Sequence, residues 1–83
     1  MNILIGQNIR KVRELRNYTQ EYMAEKLGIT QNGYSKLECQ SSNMTIDRLT
    51  QIAEILTVTI NDLLEFDENK LFNKKELNNI GGG

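Results

Sequence analysis

The sequence predicts an all-α fold built from five short helices. Three observations carry that expectation. Proline is absent, apolar residues recur at helical rather than alternating spacing, and a threonine stands directly before each of four apolar helical stretches. Proline would break helix interiors, and a threonine hydroxyl is a good acceptor for the unpaired N–H groups of a helix start. Ile5, Ile9, Val12 and Leu15 fall on one helical face and predict a first helix over 6–16, ended by Asn17. Thr19 is placed to cap a second helix, Gln20–Leu27, with Met23, Ala24 and Leu27 inward and Gly28 closing it in a left-handed conformation. Thr30 caps a third helix over 31–38, with Tyr34 and Leu37 inward. Thr45 caps a fourth, Ile46–Leu56, buried through Ile46, Leu49, Ile52, Ala53 and Leu56. Thr59 opens a fifth, Ile60–Leu64, with Asp62 three residues on as its capping-box partner.

Asn32-Gly33 competes with this reading, because Asn-Gly is a strong hairpin signal. Its flanks do not alternate, and Tyr34 and Leu37 keep a spacing of three. The segment therefore reads as a helix carrying a glycine, at a cost of about 1 kcal/mol against alanine. Residues 67–83 are charged, rich in asparagine and thin in apolar side chains, which predicts a partly helical or flexible tail after a domain over 1–66.

With 83 residues the chain holds one domain. One cysteine, Cys39, and no histidine exclude an intramolecular disulfide and leave no metal site to expect. Cys39 reads as a partly buried, inert thiol. No apolar run approaches the roughly 20 residues needed to span a bilayer, and the first residues do not have the order of a secretory signal. A cytoplasmic protein without membrane contact is expected. Neither a glycine-rich phosphate loop nor a nucleophile with a base is present, so no enzymatic activity and no cofactor are expected. The net charge is −1, but unevenly spread. Residues 1–36 carry six basic groups against three acidic ones, a balance of +3, and residues 37–83 carry four against eight, a balance of −4. One half is thus suited to a polyanion while the other keeps the protein soluble.

The stretch QEYMAEKLGITQNGYSKLEC, residues 20–39, is the most specific feature. Two helices joined by a tight turn need a small residue where they cross and one tolerant of positive φ at the corner. Ala24 and Gly28 meet those needs. Met23, Leu27, Ile29, Tyr34 and Leu37 supply a shared apolar wall, which leaves Gln31, Asn32, Ser35 and Lys36 outward. A helix of about eight residues is roughly 12 Å long, and the major groove is about 12 Å wide.

With IGQNIRKVRELR, TQEYMAEKLGITQ, YSKLE, TIDRLTQIAEIL and VTINDLL in place, residues 6–65 resemble the phage repressor and Cro-like helix-turn-helix family of transcriptional regulators. The resemblance implies a five-helix, lambda-repressor-like DNA-binding domain, usually a homodimer on palindromic double-stranded DNA. By that likeness Gln20 holds a phosphate, Gln31, Asn32 and Lys36 face bases, and Arg10 and Asn43 lie near the sugar-phosphate backbone. Arg13 and Glu38 occupy positions where the family often places a partly buried ion pair. Two departures matter. The run Cys39-Gln40-Ser41-Ser42-Asn43 carries no positive charge, which predicts weaker non-specific affinity, and Gly33 replaces a side chain that in relatives often lies against DNA. A competing reading is an antitoxin or adaptor that uses the same bundle mainly to bind protein.

Overall fold

The computed structural model describes residues 5–40 and 44–65, and these form five α-helices with no strand among the described residues. They are α1 (Ile5–Leu15), α2 (Gln20–Leu27), α3 (Gln31–Gln40), α4 (Ile46–Leu56) and α5 (Ile60–Leu64). Helices α2, α4 and α5 have the bounds that pattern and capping predict. Helix α3 runs two residues beyond the expected end at Glu38, to Gln40. Thr19, Thr45 and Thr59 accept from the N–H groups of Tyr22, Arg48 and Asp62, and Thr59 with Asp62 completes the capping box. The Thr30 hydroxyl accepts from the Gly33 N–H at 3.0 Å, so the Asn-Gly pair lies inside the first turn of α3 and not in a hairpin.

One seven-residue corner recurs three times. In 13–19, 24–30 and 53–59 a helix ends with its fifth corner residue left-handed: Asn17 (φ 61), Gly28 (φ 70) and Thr57 (φ 61). The next residue then folds back onto the first: Tyr18 N–H to the Arg13 carbonyl at 3.1 Å, Ile29 N–H to Ala24 at 3.0 Å, and Val58 N–H to Ala53 at 3.0 Å. This is the Schellman arrangement, which satisfies carbonyls that a helix end would otherwise leave unpaired. The seventh residue is each time a threonine that caps the next helix.

The core gathers around Ile9, Met23, Tyr34, Ile52, Leu56 and Leu63, all with essentially no exposure. Two expected core positions are corrected. Leu15 is 43% exposed although it keeps the spacing of Ile5, Ile9 and Val12; on the same helix Arg13 is buried instead, at 8%. Ile46 is 73% exposed, because it stands at the first position of α4, one turn ahead of where that helix meets the others at Leu49. Side chains also tie helix ends across the bundle. Arg16 Nε donates to the Leu56 carbonyl at 2.9 Å, Arg48 Nη1 to Leu27 at 3.4 Å, and Asn8 Nδ2 to Leu63 at 2.8 Å. The C-terminal ends of α4, α2 and α5 are thus each held by a side chain from elsewhere in the bundle.

Candidate nucleic-acid interface

Helix α3 has an inner and an outer face. Tyr34, Leu37 and Glu38 are buried, whereas Gln31, Asn32, Lys36, Cys39 and Gln40 are exposed and Ser35 is half-buried. At 100° per residue Gln31, Ser35, Cys39, Asn32 and Lys36 lie in succession around one side. The structure thus brings together four of the residues singled out from sequence. Cys39 is added as a correction: the thiol is exposed and shares the outer face, where partial burial was expected. Its spacing of four from Ser35 would have revealed this had α3 been carried through to Gln40. Gly33 is half-buried, and a methyl placed on it would meet only the Thr30 hydroxyl, at 3.1 Å.

The two remaining described candidates lie off α3. Arg10 is exposed on α1, its Nε 3.4 Å from Glu14. Gln20, first residue of α2, is half-buried, and its Nε2 donates to Glu38 Oε1 at 3.0 Å. Asn43 falls outside the described residues.

Helix α3 is anchored to α1 by a buried ion pair. Arg13 Nε lies 2.6 Å from Glu38 Oε2 with the side chains 9% and 1% exposed, and Nη2 reaches Oε1 at 3.3 Å. Arg13 Nη1 also donates to the Tyr18 carbonyl at 2.7 Å, which ties the first corner to the same carboxylate. Burial opposes the charge on Arg13, but the hydrogen bond and charge of Glu38 outweigh it, so the guanidinium is held above its ordinary pKa. The Tyr34 hydroxyl is buried and lacks a well-aligned partner among the described residues. Burial, then Glu38, push its pKa well above the tyrosine range and keep it neutral. The inner side of α3 is thereby fixed in place and its outer side left as a polar face with amide, hydroxyl and ammonium groups.

The helix-turn-helix family pattern matches residues 9–63. Similar proteins include three uncharacterized HTH-type transcriptional regulators of Bacillus subtilis strain 168. YonR, derived from the SPbeta prophage, is 33% identical over 78 residues, covering 88% of this chain and 72% of its own length. YqaE is 37% identical over 79 residues, covering 90% and 68%. YobD is 31% identical over 58 residues, covering 70% and 52%. No solved structure matches. No helix among the described residues is long and apolar enough to cross a membrane. The family match over most of the described bundle, together with these relatives, establishes that the chain belongs to the Cro/C1-type helix-turn-helix family of DNA-binding transcriptional regulators.

Proposed function

We propose that this protein is a cytoplasmic repressor that binds a palindromic operator as a homodimer, each copy laying α3 in the major groove. The observation that carries this reading is the outer face of α3, where Gln31, Asn32, Ser35 and Lys36 stand together on a helix pinned from behind by Arg13 and Glu38. Glutamine and asparagine amides can each pair bidentately with adenine, and lysine can reach guanine or phosphate. Arg10, Gln20 and Asn43 serve the sugar-phosphate backbone, and residues 1–66 form the DNA-binding domain. One short helix reads only a few base pairs, too few to single out a site in a genome, and a two-fold axis doubles the site. The dimer contact is placed at α5, where Leu64 is 39% exposed. We extend that contact to the apolar residues Phe66, Leu71 and Phe72 that follow α5 in sequence, which lie outside the described residues.

Selection of bound sequences from a random DNA pool tests this. The expected product is an inverted repeat with half-sites about 34 Å apart. Two chains should bind per duplex, and three phosphate contacts per chain give a log-log salt slope of about −5. One chain per duplex at saturation overturns the dimer. Failure to retard any genomic DNA would favour the antitoxin or adaptor reading, to which the net charge of −1 lends some support.

A further inference from the structure

Three N–H groups converge on the Glu38 carboxylate, two from Arg13 and one from Gln20. An ionised carboxylate only accepts hydrogen bonds. The Gln20 amide therefore has one acceptable orientation there, nitrogen inward, because the reverse would set its oxygen against a buried anion. A glutamine on an open surface has no such bias and exchanges its two ends by rotation. The amide nitrogen carries a second hydrogen, which has no partner among the described residues, on a side chain that is only half-buried. Gln20 also starts α2, the helix that crosses the DNA backbone when this motif docks.

We propose that Glu38 is a positioning residue for DNA binding: its buried carboxylate fixes the polarity of the Gln20 amide so that an N–H is presented to a backbone phosphate. The inference rests on the DNA-binding reading above and deepens it. Arg13, itself steadied by donating to the Tyr18 carbonyl, holds the carboxylate in place, so a relay of Arg13, Glu38 and Gln20 runs from α1 through the core to the start of α2. The contact is set before DNA arrives, and little side-chain freedom remains to be lost on binding.

The full chain, titrated against a mixed-sequence duplex, tests the relay. Gln20→Ala should weaken binding about tenfold per subunit in the native background, the size expected for a hydrogen bond to a charged group. In a Glu38→Gln background, where the neutral carboxamide leaves both Gln20 orientations open, the same substitution should cost much less, and this coupling is the signature. A residue that merely braces the fold would lower stability in urea without it. Should Glu38→Gln fail to fold, the native protein still answers by NMR. One Gln20 side-chain amide proton should resist exchange before DNA is added, and the other should shift when it is. The relay is overturned if Gln20→Ala costs the same in both backgrounds, or if both amide protons stay still while the Gln31 and Asn32 signals move. If no signal moves and no complex forms, the DNA-binding reading falls first.

Discussion

The corner that ends α2 and the corner that ends α4 share a backbone and nearly a sequence, AEKLGIT and AEILTVT, yet differ at the residue the turn depends on most. Gly28 adopts φ 70 freely, whereas Thr57 is forced to φ 61 with a branched side chain that disfavours it. The first corner sits inside the helix-turn-helix and sets the angle at which α3 projects. The second only returns the chain to α5, and Arg16 braces it through the Leu56 and Thr57 carbonyls, at 2.9 and 3.4 Å. An unstrained glycine stands where the turn sets the projection of α3, and a strained residue with outside support stands where the chain only returns to α5. The third corner, RELRNYT, replaces the leading alanine with Arg13, so there the corner also carries the buried charge.

The sharpest way to break this comparison is to make the RELRNYT corner resemble the other two. Arg13→Ala strands Glu38 without its cation, and the expected loss is about 3 kcal/mol or more in urea melts. A loss below about 0.5 kcal/mol would mean that the pair behaves as a surface pair. Next come the left-handed residues. Gly28→Ala should cost about 1 kcal/mol, all of it backbone strain because nothing lies within 4 Å of the added methyl, while Thr57→Gly should gain about as much. Effects of the same sign from both would show that the corners are not equivalent. Thr30→Ala and Thr59→Ala should each cost about 1 kcal/mol by thermal melting, with Thr59 the larger because its capping box is reciprocal. The smallest effect belongs to Gly33→Ala. A gain of about 1 kcal/mol from helix propensity is offset by the 3.1 Å approach to the Thr30 hydroxyl, leaving a net change under about 0.5 kcal/mol. With Thr30 already alanine, the full gain should emerge, and additivity of the two substitutions would refute the clash.

Most of the fold was legible because its signals are local. Threonine caps, left-handed closers and helical spacing each act within one turn, and they placed α2, α4 and α5 at their observed bounds. Periodicity misled where the answer depends on which neighbour stands opposite. Leu15 has the spacing of a core residue, but the bundle turns Arg13 inward to meet Glu38, 25 positions away, and Ile46 precedes the point where α4 reaches its partners. The outer face of α3 was legible for the same reason as its inner one: once Tyr34 and Leu37 point in, Gln31, Asn32 and Lys36 must point out. The bond from Gln20 to Glu38 was not legible, since 18 positions separate two polar side chains that no pattern couples.

The side-chain ties across the bundle also govern the order in which the domain can assemble. Helix α1 is the first of the five to leave the ribosome, but its buried charge must wait for Glu38, 25 residues later, and its Asn8 for the Leu63 carbonyl, 55 residues later. Five residues of α5 are far too few to hold a helix alone. The side-chain ties of α1 are therefore complete only once both α3 and α5 have been made.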